Sequence, residues 1–171
     1  MAARDTNPRA DAHARPPSRW LAAEALQQRL EEEISRAERH RTPLSCLLVA
    51  VENLAELAGE HGALREEALE YLAAALEREL RRFDAVGRPR EPELLILLPG
   101  ADDARAEIVA RRVLERLRAI KVEVGGTRNA LRLAVGLAAW REGITATALV
   151  DAARAAAYGA EDDLAGESPA D

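Results

Sequence analysis

The side chains able to do chemistry in this 171-residue chain are dominated by arginine. Lys121 is the only lysine, so the other 23 of the 24 basic residues are arginines. A guanidinium presents a planar fork of donors that matches phosphate and carboxylate oxygens, so a local cluster of such groups can hold a small phosphate ligand. Other reactive types are scarce. Cys46 stands alone inside an apolar run, which excludes disulfides and cysteine metal sites. His13, His40 and His61 show no metal-ligand spacing among themselves. The net charge of −6 argues against a partner bound through a nucleic-acid backbone, which needs a basic face.

The elements that must position these groups follow from periodicity. Residues 1–18 contain Pro8, Pro16 and Pro17 among small and charged residues and read as a disordered tail with no secretory signal. No apolar stretch approaches the ~20 residues needed to span a bilayer, so a cytoplasmic, membrane-free domain is expected. From Trp20, the apolar residues Leu21, Ala25, Leu26, Leu30, Ile34 and Ala37 recur at helical spacing. Leu44 to Val51 is a nearly continuous apolar run of strand length, expected to be buried on both faces. A second helix is expected from about Leu64 to Arg82, with Leu69, Leu72, Ala73, Leu76 and Leu80 in one stripe.

Ala85–Arg88 and Glu93–Leu98 read as two strands joined by Pro89, Arg90, Glu91 and Pro92. Asp102 or Asp103 can cap a helix to about Ile120. Strands are expected at about Ile120–Val124 and Leu131–Ala138, around Gly125 and Gly126, and Thr145 or Thr147 starts a last helix to about Tyr158. An acidic tail, 161–171, closes the chain. The inner βαββαβ order predicts an α/β sandwich with a nucleotide-cyclase-like, ferredoxin-type core, in which helices flank a mixed sheet. A fold of this kind does not specify an activity.

Across about residues 26–158 the sequence resembles the GGDEF family, the diguanylate cyclase domain. The resemblance rests on Leu26, Leu30 and the run Glu31–Ala37 followed by Arg39, Pro43, Leu44 and Ser45. It continues in Asp84–Arg88 leading into Glu93–Pro99, in Leu133–Ala138 (LAVGLA, similar to the family's VSIGVA strand), and in the last helix with Tyr158. The domain this implies covers 19–160.

The resemblance also implies where the family's chemistry should sit. The signature Gly-Gly-Asp/Glu-Glu-Phe falls on Arg90, Glu91, Pro92, Glu93 and Leu94. The two glycines let backbone approach a nucleotide closely because they lack Cβ, whereas Arg90 and Glu91 would project into that space. The third position supplies a metal-binding carboxylate in the family, and Pro92 has none. Its partner carboxylate on the first strand corresponds to Ala50, although magnesium needs oxygen ligands. The guanine-reading Asn falls at Ala58, a further Asp near Glu66, and the phosphate-contacting lysines at Ala55 and Glu161. Phosphoryl transfer rests on metal and positioning, so an inactive domain without cofactor or metal is expected. Glu52 and Glu93 read as exposed charges at strand ends rather than as a substitute metal pair.

One family feature is retained. Many members bind their product, cyclic di-GMP, at an inhibitory Arg-x-x-Asp motif five residues before the signature. Arg81, Arg82, Phe83 and Asp84 supply it, Ala85 to Pro89 separate it from Arg90, and Arg112 corresponds to the second contributing arginine. The resemblance therefore implies a bacterial cyclic di-GMP receptor that signals through Arg81, Asp84 and Arg112. It also implies a ligand-bridged dimer, because this ligand often links two such domains. The competing expectation is a pseudo-enzyme used as a protein-interaction or homodimerisation module, with Trp20 and Leu21 at the start of its first helix and a protein partner still to be identified. The first expectation requires the three ligand residues to meet; the second requires an exposed apolar patch.

Overall fold

The computed structural model describes residues 20–58, 62–124 and 126–162. Its elements run α1 (Ala23–His40), β1 (Leu44–Val51), α2 (Leu54–Ala58), α3 (Gly62–Glu77), β2 (Ala85–Gly87) and β3 (Glu93–Pro99). They continue as α4 (Asp103–Arg118), β4 (Lys121–Val124), β5 (Thr127–Ala130), β6 (Leu133–Ala139) and α5 (Ala146–Asp162). The main sheet has the order β2-β3-β1-β6, which is the ferredoxin-type arrangement with α3 and α4 as crossovers. Its ladders are antiparallel. Its mixed character comes from one parallel bridge, Leu21 to Gly87, on the outer side of β2.

β1 is buried along its whole length, as its nearly continuous apolar run predicts. Successive side chains point to opposite faces, so the strand feeds two cores. Leu47, Val49 and Val51 join Leu72, Leu76, Val109 and Val113 under α3 and α4. Cys46, Leu48 and Ala50 join Leu26, Leu30, Leu149 and Ala153 under α1 and α5. Three prolines or polar residues set boundaries as expected. α1 stops at Arg41, in the left-handed conformation at φ 52°, just before Pro43. Asp102 caps α4 by accepting from the Arg105 backbone N–H at 3.0 Å, and Thr145 Oγ1 accepts from Ala148 N–H at the start of α5.

Several expectations need correction. The second helix ends at Glu77 rather than Arg82. Leu80 still packs on the core from outside the helix, which is why the apolar stripe overruns the helical segment. α2 is an additional short helix. β4 pairs with β5, not with the main sheet, in a separate two-stranded ribbon of register Lys121↔Ala130 to Val124↔Thr127. The strand expected at Leu131–Ala138 is β6, which starts at Leu133 and pairs with β1. The expected N-terminal tail, 1–18, and residues 163–171 of the expected C-terminal tail lie outside the described residues, while α5 runs on to Asp162. Among the described residues no helix is long and apolar enough to cross a membrane.

Candidate functional site

The turn between α3 and β2 carries Arg81 and Asp84, on which the resemblance places a ligand motif. Asp84 Oδ2 accepts the Arg81 backbone N–H at 2.7 Å, and the Asp84 N–H returns a bond to the Arg81 carbonyl at 3.1 Å. This reciprocal pair makes Asp84 a turn-forming residue. Its Oδ1 takes no hydrogen bond among the described residues. Arg112 reaches across from α4, donating through Nη2 to the Glu79 carbonyl at 2.9 Å, and its charge is felt at Asp84. Partial burial pushes the Asp84 carboxyl above the usual aspartate range, against the Arg81 N–H bond and the charges of Arg81 and Arg112. Two guanidiniums and a half-buried carboxylate thus converge, with one carboxylate oxygen left for a donor. Phe83 beside them is 73% exposed.

The positions aligned with the family signature form a second cluster. β3 pairs with β1 so that Glu93 lies opposite Ala50, and Pro92 accepts through its carbonyl from the Val51 N–H at 3.2 Å. Pro92 and Glu93 therefore stand beside the end of β1. Glu93, however, is not an exposed strand-end charge: it is 1% exposed. Arg154 of α5 grips it bidentately, Nε to Oε1 at 2.9 Å and Nη2 to Oε2 at 2.9 Å. Arg90 donates through Nε to Oε1 at 3.0 Å, and the Tyr158 hydroxyl approaches Oε1 at 3.4 Å. Asp151 holds the far side of Arg154 at 2.8 Å. Burial alone would raise the Glu93 pKa, but the hydrogen bonds and charges of Arg154 and Arg90 outweigh it and hold the carboxyl below the usual range. Burial, with the Glu93 charge, pushes the Tyr158 phenol up.

Sequence reasoning missed Arg154 altogether. Its signal was present only as the single arginine of an alanine-rich helix, 61 residues from its partner. The residues here do not fit a divalent cation. Both oxygens of Glu93 are taken by guanidiniums, and Ala50 and Pro92 offer no side-chain oxygen. Glu52 is partly exposed and stands within electrostatic reach of Tyr158, without joining Glu93. Ala55 and Ala58 both lie on α2, and Ala55 is exposed. Glu66 and Glu161 lie on α3 and α5, outside the described side chains. Burial pushes the Cys46 thiol up to about 12, so it is no nucleophile.

The Glu93 cluster sets an acid response. A carboxyl with a lowered folded-state pKa contributes stability above its unfolded value, about 4.3, and that contribution is lost as pH falls through the folded value. Asp84, with a raised pKa, acts in the opposite sense over its own interval. The gap in melting temperature between the native protein and Glu93→Gln is therefore expected to be full at pH 7 and to shrink below about pH 4. A gap independent of pH would show that Glu93 is not held ionised.

With the fold and both clusters in place, comparison with known proteins gives the class. Residues 22–165 match the family model described as diguanylate cyclase, GGDEF domain, and the chain belongs to that family. Among solved structures, it is similar to the diguanylate cyclase SiaD of Pseudomonas aeruginosa, crystallised with its activator SiaC. The identity is 30% and the TM-score 0.77, over 89% of this chain and 59% of SiaD. It is also similar to the GGDEF domain of PA1120 (YfiN or TpbB) from the same organism, at 26% identity and TM-score 0.74 over 84% of this chain and 91% of that one. The GGDEF domain of DgcB from Caulobacter crescentus, crystallised with c-di-GMP, shares the fold at 14% identity and TM-score 0.77, over 91% of this chain and 93% of that one. No individually curated protein matches the chain.

Proposed function

We propose that this GGDEF domain is catalytically inactive and binds cyclic di-GMP through Arg81, Asp84 and Arg112. The observation that carries the reading is the convergence of Arg112 and the Arg81–Asp84 turn, with one Asp84 oxygen unoccupied among the described residues. A guanidinium can grip a phosphate or a guanine edge with two parallel bonds, and the aspartate can accept from guanine N–H groups. The family membership and the DgcB complex with c-di-GMP make this ligand the reasonable one to test. Inactivity rests on the degenerate signature Arg90, Glu91, Pro92, Glu93 and Leu94, whose buried carboxylate, Glu93, is neutralised by Arg154 and Arg90.

Calorimetric titration of cyclic di-GMP into the protein is expected to give micromolar or tighter binding, about −8 kcal/mol. Arg81→Ala should weaken it at least tenfold, and GTP with magnesium should yield no cyclic product. Absence of heat at high ligand concentration, or product formation, would refute the corresponding half of the reading. Light scattering at saturating ligand tests the ligand-bridged dimer, which an unchanged monomer mass would rule out. A second reading, an interaction module without nucleotide, is favoured by Phe83 at 73% and Ile108 at 55% exposure. Phe83 lies in the Arg81–Asp84 turn, and Ile108 lies one helical turn before Arg112 on α4.

A further inference from the structure

The Arg81–Asp84 turn has a second neighbour besides α4. A cavity of about 340 Å³ lies beside it, and its wall includes Arg29 of α1 together with Arg81, Arg82 and Asp84. Leu21 and Val86 line the same space, as does Glu77, a second carboxylate beside Asp84. Arg112 does not line it. A ligand seated in this cavity and gripping Arg81 therefore meets α1, and reaches Arg112 of α4 only by extending past the Arg81–Asp84 turn.

Arg29 is set up for such a contact. Its Nε donates to Glu33 Oε1 at 3.0 Å, and Glu33 is itself 2% exposed, with Arg36 Nη1 donating to the same oxygen at 3.0 Å. A buried carboxylate thus anchors the Arg29 side chain, which retains 38% exposure. Restraining an arginine before binding lowers the entropy lost when it engages a ligand. Three guanidiniums around one cavity suit a ligand that carries more than one phosphate, since each can take its own oxygens. Leu21 adds a mechanical link. Its N–H donates to the Val86 carbonyl at 2.9 Å, and the Arg88 N–H donates to its carbonyl at 3.1 Å.

We infer that Arg29 is a further phosphate-contacting arm of the cyclic di-GMP site, so that bound ligand fastens the start of α1 to the turn before β2. This rests on the receptor reading above. The test is titration of cyclic di-GMP into the full chain and into Arg29→Met, with Arg39→Met as control. Arg39 is exposed in the last turn of the same helix and does not line the cavity. Arg29→Met is expected to weaken binding at least tenfold, and Arg39→Met less than twofold. Amide exchange at Leu21 and Arg88 should slow with ligand in the native chain and not in Arg29→Met. Unchanged affinity in Arg29→Met overturns the role of Arg29 and leaves the receptor reading standing. No binding by the native chain overturns both. Should Arg29→Met fail to fold, Arg29→Lys keeps a charge beside Glu33 but lacks the fork. It is expected to weaken binding about threefold, and unchanged affinity there also overturns the inference.

Discussion

Gly136→Ala is expected to cost at least about 3 kcal/mol of stability, more than ordinary overpacking because the obstacle is backbone. For a domain of this size that is a fall in melting temperature of roughly 10 °C. A Cβ added at Gly136 of β6 would fall on the Ala153 carbonyl oxygen and the Ala157 nitrogen of α5. A side chain in the way could turn aside, but helix backbone cannot. α5 packs this close because Ala153 and Ala157, both buried, present no bulk of their own. Gly159, on the same helix, supplies the contrast. Nothing lies within 4 Å of a Cβ there, so Gly159→Ala should stabilise by about 0.5–1 kcal/mol through helix propensity alone. Thermal unfolding of the two variants side by side decides it. Equal melting temperatures would mean that α5 does not seat on β6.

The second large effect is expected at Arg154. Arg154→Met removes the bidentate partner of a carboxylate that is 0% exposed in its side chain, leaving Arg90 alone to neutralise it. Breaking a buried pair from one side is costly, here about 3 kcal/mol. Removing both charges is cheaper than removing one, because no uncompensated ion remains. The double variant Arg154→Met with Glu93→Met is therefore expected to melt above Arg154→Met. A denaturant-based double-mutant cycle over the four proteins should give a coupling of about 1.5 kcal/mol or more. Additive effects would show that the two side chains do not act as a pair. The same cycle bears on the proposed inactivity. If the pair is strong, the carboxylate aligned with the signature is committed to holding α5 against β3 and is withdrawn from ligand chemistry.

These two sites also mark how far the sequence can be read. β1 was legible because eight residues between Pro43 and Glu52, all apolar but Ser45, have few alternatives to a doubly buried strand. The α4 cap at Asp102 was legible because its signal is local, a carboxylate three residues from the N–H it caps. Gly136 was legible as part of a familiar strand, but its reason was not, since the reason is a helix packed across from it. Glu93 was misread as exposed for the same cause. Its burial depends on Arg154, and nothing near Glu93 in the chain announces that partner. β5 was missed because Thr127, Arg128, Asn129 and Ala130 form a largely exposed strand with no apolar face to give it away. The candidate ligand residues were legible through spacing, yet Arg29 was not, because its relation to Asp84 exists only once α1 has folded against β2.

The parallel bridge at Leu21 has a bearing on solubility. β2 is a three-residue strand at the rim of the sheet, and a rim strand carries unpaired N–H and C=O groups that can template pairing with another chain. Here the Val86 carbonyl and the Arg88 N–H are already taken by the protein's own backbone at Leu21. Gly87 makes the cover possible, since a Cβ at that position would lie 2.7 Å from the Leu21 carbonyl oxygen. The segment leading into α1 thus serves as a selvedge, binding off the sheet where it would otherwise be open to addition by a neighbouring molecule.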